Sequence, residues 1–130
     1  MSESVNPSGW PRPSGYSNGV IATGRFLAIA GQIGWNERCE LVGATLLEQA
    51  VQALRNIAAI LHAAGGKPDD IVRMTWYVTD KVAYSAVLRE LGVSYKEIFG
   101  AVYPAMTLVQ VADLLEEGAL VEIEATAVLP

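Results

Sequence analysis

Cysteine and histidine are nearly absent: the 130-residue chain holds one of each, Cys39 and His62. One cysteine excludes an internal disulfide framework and fits a reducing compartment. Cys39 lies between Arg38 and Glu40, with Glu37 close by, and carboxylates disfavour the thiolate a nucleophile needs. One histidine, toward the polar side of a predicted helix near Arg55 and Ala59, excludes a His-rich metal centre. It offers no Ser-His-Asp or Cys-His arrangement either. Basic residues are scarce: nine Lys and Arg stand against fourteen Asp and Glu, a formal charge of −5. An acidic surface repels phosphate backbones, so general nucleic-acid binding is not expected. No apolar run approaches the ~20 residues that span a bilayer. Met1 to Gly9 contains no apolar stretch, so no signal peptide and no membrane partner are expected. Gly65-Gly66-Lys67 lacks the spacing of a phosphate loop, and Asn6-Pro7-Ser8 carries proline where a glycosylation acceptor forbids it. These absences point to a cytoplasmic protein without a His-rich metal site.

What is abundant is apolar surface. Apolar residues make up 52% of the chain, and mean hydropathy is +0.29. A chain this short fits one domain, 1–130, and buries roughly two thirds of its unfolded surface. Apolar residues beyond one core imply a buried subunit interface; an unusually apolar monomer is the alternative. Residues 1–18, rich in Pro, Gly, Ser and Asn, read as an irregular arm. Gly19–Ala22 and Phe26–Ala30, around Thr23-Gly24-Arg25, read as a hairpin. Thr45 and Glu48 make a T-x-x-E capping box ahead of Leu47, Ala50, Val51, Leu54, Ile57, Ala58 and Leu61 at helical spacing. Gly65-Gly66 stops that helix, giving a span of about 45–64. Ile71–Val78 is a strand with large groups on both alternating sets, so both its faces should be covered. Asp80 caps a second helix over about 82–99, with a kink or break expected at Gly92. Thr107–Ala112 and Ala119–Val128 are strands separated by a turn at Leu114–Gly118. The predicted order is β-β-α-β-α-β-β, an α+β protein with a mixed sheet, hairpins at both ends and helices on one face.

Several motifs in this order resemble one family. Gly15-Tyr16-Ser17 resembles the N-terminal motif of the RidA/YjgF proteins. Ala30-Gly31-Gln32-Ile33 resembles their S-G-Q-I, and Gln49, Gln52, Leu54, Asn56 and Ile57 resemble Q-x-x-Q-x-L-x-N-I. Ala63-Ala64-Gly65 with Asp70-Ile71-Val72 resembles A-A-G-x-x-x-D-(I/V)-V. Pro104-Ala105-Met106-Thr107 with Val109-Gln110-Val111 resembles P-A-R-T-x-V-x-V, and Val121 to Ala125 resembles (V/I)-E-I-E-A. Each match alone is weak; together they cover nearly the whole chain.

The resemblance implies a chorismate-mutase-like homotrimer, with sheets lining a central barrel, helices outside and pockets between subunits. It implies cofactor-free hydrolysis of reactive enamines and imines to keto acids and ammonia. In such proteins an arginine grips the substrate carboxylate, while backbone at the S-G-Q glycine and a glutamate-held water serve the hydrolysis. The resemblance places the water on Glu122 and the pocket backbone at Gly31; the alternatives are a solvated strand carboxylate and a plain turn glycine. Tyr16 is a candidate lid, and Trp35 and Tyr103 are candidate pocket walls ahead of Trp10 and Trp76. The arginine position reads Met106, the serine Ala30, and an early-helix asparagine Leu88. A thioether cannot pair a carboxylate. With Leu108 beside it, the pocket has become apolar, so a less polar or aromatic-derived ligand is expected in place of 2-iminopropanoate or 2-iminobutanoate. Arg73, the odd member of its strand, is a candidate replacement cation, with a salt bridge or a strand-end position as the favoured alternative. A non-catalytic small-molecule-binding or chaperone-like trimer is the alternative. The family has also been called endoribonuclease-like, a reading the acidic balance opposes.

Overall fold

Thr45 opens the longest helix, α1 (Leu46–Ala63). Its hydroxyl accepts from the Glu48 N–H at 3.2 Å and donates to the Glu48 carboxylate at 2.8 Å. This side-chain pair stands where the expected return bond to the Thr45 backbone would be, and it fixes the same turn. One face of α1 is buried through Ala50, Ala53, Leu54, Ile57 and Leu61. Gly65 adopts φ +82°, so its N–H reaches the His62 carbonyl while Gly66 N–H reaches that of Leu61, each at 2.9 Å. These two bonds satisfy carbonyls that the helix end leaves free.

The computed structural model describes residues 2–130. Around α1 run β1 (Ser2–Val5), β2 (Gly19–Ala22), β3 (Arg25–Gln32), β4 (Ile71–Val78), α2 (Lys81–Ala86), α3 (Leu88–Phe99), β5 (Ala105–Gln110) and β6 (Val121–Leu129). The main sheet has the order β3-β6-β4-β5. β4 and β5 are parallel, as a helical crossover requires, and the other pairs are antiparallel. β6 alternates perfectly: Val121, Ile123, Ala125, Ala127 and Leu129 are buried under α1, and the residues between them face the other way. α3 adds Leu91, Tyr95 and Phe99 to the same core. No helix among the described residues is long and apolar enough to cross a membrane.

Four expectations are corrected. Ser2–Val5 is not irregular: it pairs with β2 as a separate two-stranded ribbon. The β2–β3 hairpin does not form, because β2 pairs with β1 and β3 with β6. Gly24 is where the chain passes between the two sheets, at φ +152° and with its backbone packed against the Leu129 carbonyl, where a Cβ would overlap. At the other end β5 and β6 are separated by β4, because the crossover puts β5 on the outside edge. The second helix breaks at Val87, not at Gly92, and α3 runs through Gly92 uninterrupted. Asp80 does cap α2, its carboxylate accepting from Val82 and Ala83 N–H at 2.9 and 3.1 Å.

A register shift also alters how β4 is covered. Ile71 opposes Ala127, whereas Arg73 opposes Thr126, so a bulge sends Ile71 into the helix-side core, where it is 2% exposed. The opposite sheet face then carries Thr75 and Tyr77 of β4, Glu122 and Glu124 of β6, and Val109 of β5. Phe26 lies on this face of β3 at 72% exposure. No helix covers it.

Candidate functional site

The candidate residues fall into two groups on opposite sides of the sheet. On the helix side, a cleft of about 580 Å³ opens along edge strand β5. Met106 and Leu108 form part of its wall, since they stand in register with Met74 and Trp76 of β4, whose side chains belong to the core. Tyr84 of α2 and Leu88 and Tyr95 of α3 close the other side. Tyr103 stacks on Tyr95 with ring centroids 6.4 Å apart and planes 13° from parallel. Tyr95 is itself held by donating to the Val102 carbonyl at 2.7 Å.

Tyr16 lines the same cleft, and its position follows from its neighbour. Ser17 is 8% exposed; its hydroxyl donates to the Tyr103 carbonyl at 2.6 Å and its N–H to the Pro104 carbonyl at 3.1 Å. The arm is thus tied to the start of β5, which holds Tyr16 at the cleft mouth. Every lining residue is uncharged. Burial raises the phenol pKa values of Tyr84 and Tyr95, so both stay neutral across the physiological range. Trp76 is 3% exposed, and its indole N–H is buried with no acceptor among the described residues.

On the other face Gly31 meets Glu122. A bulge between Ile29 and Gln32 of β3 brings the Gly31 backbone onto β6, where a Cβ would overlap the Glu122 carboxylate. Ala30 lies exposed in the same bulge. The two strand carboxylates differ in their surroundings. Glu124 accepts from the Tyr77 hydroxyl at 2.5 Å. That bond raises the Tyr77 pKa, with burial and the charges of Glu124 and Glu122 acting the same way and Arg73 opposing. Glu122 has no side-chain hydrogen bond among the described residues, so its oxygens are free for a water or a ligand.

Register separates the two groups. Met106 opposes Met74, which opposes Ala125 on the helix side; Glu122 opposes Tyr77 on the bare side. Tyr16, Tyr103, Met106 and Leu108 therefore come together, Ala30, Gly31 and Glu122 come together elsewhere, and one protomer does not join them. Trp35 stands in neither group. It lies in the strap before α1, its carbonyl accepting from Asn56 Nδ2 at 2.9 Å. Arg73 is on the bare face beside Thr75 and Glu124, with the sheet between it and the Met106 cleft of its own protomer. Sequence reasoning passed over Tyr84 and Tyr95 and ranked Trp76 low, although Tyr84, Leu88 and Tyr95 recur at helical spacing, which was the available signal. Gln49, Gln52 and Asn56 prove to be structural clamps: Gln52 Nε2 donates to Asn56 Oδ1 at 2.9 Å, and Asn56 in turn holds the Ile33 and Trp35 carbonyls. Among the described residues no three His, Cys, Asp or Glu side chains cluster as metal ligands.

Fold and site together define a small α+β protein with a carboxylate set on a glycine backbone on one face and a neutral aromatic cleft on the other. The family model described as Endoribonuclease L-PSP matches residues 11–129, and the chain belongs to that family, whose members also carry the names RidA, YjgF and RutC. The chain is 38% identical to a RutC family protein of Pyrococcus horikoshii, over 98% of each sequence. It is 40% identical to a 2-iminobutanoate/2-iminopropanoate deaminase of Capra hircus, over 87% of this chain and 79% of that one. Among solved structures, a Rid family protein of unknown function from Yersinia pestis matches with a TM-score of 0.84 at 38% identity, covering 98% of both chains.

Proposed function

We propose that this protein hydrolyses an enamine or imine less polar than 2-iminobutanoate, in sites completed between copies of the chain in a homotrimer. The observation that carries the reading is Glu122, unbonded and set against the Gly31 backbone. Chemically, an enamine first takes a proton at carbon to become the imine. Water held by Glu122 then adds to the C=N carbon, its proton passing to the carboxylate. Glu122 returns that proton to nitrogen, and as the C–N bond breaks it relays the carbinolamine's hydroxyl proton to the departing nitrogen, which leaves a carbonyl and ammonia. Gly31 supplies close backbone approach at the reacting end.

In this reading Met106 stands where relatives hold the carboxylate-gripping arginine. Losing two charge-assisted hydrogen bonds, at about 1.5–3 kcal/mol each, weakens a keto-acid-like substrate by more than about tenfold. Support for the trimer comes from the bare face: Phe26 and Val109 on it are exposed, and Met106 reaches a carboxylate only through a second copy. A chorismate-mutase-like barrel with these faces inward satisfies both. The formal charge of −5 argues against a nucleic-acid substrate. No cofactor is invoked, and the partners proposed are the other protomers and a small molecule.

The test generates 2-iminobutanoate in situ and follows its loss with and without protein, alongside an imine of an aryl ketone. The expected result is little acceleration of the first and ammonia release from the second. M106R should raise the first rate at least about tenfold, and E122Q should abolish the second. Rapid turnover of 2-iminobutanoate by the unaltered chain would refute the role given to Met106. A second reading, a non-catalytic binding trimer, is favoured by the uniformly neutral cleft; it requires tight binding with no ammonia from any imine tested.

A further inference from the structure

We propose that Gly92 sets the substrate range of the Met106 cleft: the side chain it lacks leaves a recess on α3, between Leu88 and Tyr95, that seats a bulky apolar ring system of the substrate. The inference rests on the cleft being the substrate's seat, as proposed above, but not on catalysis. It starts from a glycine that the fold does not need. Of the twelve glycines, seven hold φ between +77° and +152°, and at three more, Gly31, Gly34 and Gly66, an added Cβ would come closer than 3.0 Å to a neighbour. Gly19, in a strand, would meet Val5 at an ordinary 3.6 Å. Gly92 alone lies inside a helix. α3 runs through it without a break, and a Cβ there would meet nothing within 4 Å. Alanine would enter without strain and would strengthen the helix. Glycine weakens α3 at this point and gains no contact within the protomer in return.

Its position says what the space admits. Leu88, Gly92 and Tyr95 stand four and three residues apart, hence on one face of α3, and all three line the cleft opposite Met106 and Leu108. The backbone of Gly92 is bonded within the helix, so it offers a ligand shape and no polar handle. No lining residue is charged, and a carboxylate seated there would be desolvated without a partner. Around the mouth Leu88, Tyr16 and Tyr103 are exposed at 52%, 41% and 40%. Three large side chains gathered on one opening form a patch, which marks a binding surface where scattered ones do not. The volume, about 580 Å³, is that of a site for one small ligand, typically about 300–1,000 Å³. Aromatic walls from Tyr95 and Tyr103 and the polarizable thioether of Met106 favour rings.

The experiment uses the full chain, two neutral ketones of different size, acetophenone and 2-acetonaphthone, and two variants, G92A and G92L. Affinities come from proton–nitrogen titrations, and melts are run at one fixed protomer concentration. The unaltered chain should bind 2-acetonaphthone about tenfold or more tighter than acetophenone, as burial of a second ring requires. G92L should cut the 2-acetonaphthone affinity about tenfold or more by filling the recess, and change that of acetophenone by less than about threefold. G92A should act in the same direction more weakly while raising Tm by about 4 °C. A purely structural glycine would move Tm without moving the ratio of the two affinities. A ratio unchanged in G92L, an equal loss for both ketones, no binding of either ketone to the unaltered chain, or a lower Tm in G92A would each overturn the proposal. So would a changed oligomeric mass in G92A, which would give the recess to a second copy. Binding is read without turnover, so a failed ammonia assay sinks the deaminase reading alone, and an unmoved ratio sinks this one alone.

Discussion

Gln49→Leu removes the side chain that ties α1 to the loop before β6. The amide is 1% exposed and fully used. Its Nε2 donates to the Gly118 carbonyl at 3.0 Å and, more weakly, to that of Gly43 at 3.4 Å; its Oε1 accepts from Leu120 N–H at 2.8 Å. Leucine has similar bulk but satisfies none of these. A sheltered backbone group left without a partner costs about 1–3 kcal/mol, and the half-buried Leu120 N–H has no other bond among the described residues, whereas Gly118 is exposed and water can take its carbonyl. The apolar gain of leucine offsets part of this, leaving a net loss of about 1–2 kcal/mol. At about 4 °C per kcal/mol for a domain of this size, Tm should fall by about 4–8 °C. Thermal and urea melts at one fixed protomer concentration check it, because any oligomer makes Tm depend on concentration. A loss under about 1 kcal/mol would show that water enters the site and replaces the amide, and the structural reading of the Q-x-x-Q helix pattern would then be wrong.

Two further predictions rest on single contacts. Gly31→Ala sets a methyl into the Glu122 carboxylate; that carboxylate is the far end of a flexible side chain, so it should move while the fold stays within about 1 kcal/mol of the parent. Turnover of an accepted imine should nonetheless drop about a hundredfold, since a displacement of about 1 Å is enough; an unchanged kcat removes Gly31 from the mechanism. Tyr95 has its pKa raised by burial and by Tyr103. A phenol whose folded pKa lies above its unfolded value of 10.0 keeps its full contribution below that pH and loses it as pH climbs toward the folded value. Stability should therefore decline above about pH 10, and Y95F, about 1 kcal/mol weaker at pH 7 for its lost bond to Val102, should decline less steeply in alkaline melts.

What could be read from the sequence follows from how local each signal is. α1 was legible because its cap, its periodicity and its glycine stop all lie within the helix or next to it. β6 was legible because strict alternation survives when one face packs on helices. Strand partners were not legible: Thr23-Gly24 marks a reversal of the chain but cannot say that β3 will leave β2 for β6. Ser2–Val5 carries no apolar alternation and is exposed throughout, so only its pairing with Gly19–Ala22 makes it a strand. The bulge that sends Ile71 to the core is equally invisible, because a one-residue slip is decided by packing across the sheet. At the site, Met106 and Tyr103 stood in a recognisable motif. Trp76 and Tyr95 looked like ordinary core aromatics until the cleft gave them a surface. Glu122 and Glu124 are chemically identical in sequence; the Tyr77 hydroxyl and the Gly31 backbone, both distant along the chain, distinguish them.

The separation of Met106 from Glu122 by a sheet layer gives the shared-site idea a decisive consequence. If catalysis needs the cleft of one protomer and the carboxylate of another, damage to either half is repairable in trans. E122Q keeps an intact cleft, and L108W, which fills the cleft wall, keeps an intact carboxylate. Each alone should be inactive toward an accepted imine. Co-refolded in equal amounts, they form mixed oligomers in which a given interface draws its cleft from E122Q and its carboxylate from L108W with random odds. About a quarter of the parent activity should return, because each half is sound in about half the protomers at any interface of a symmetric assembly. A single-chain site predicts no recovery at any mixing ratio, since every protomer then carries one broken half. The same mixture run at a mass near 13.9 kDa, the weight of one chain, would leave no interface to share and would defeat the argument by itself.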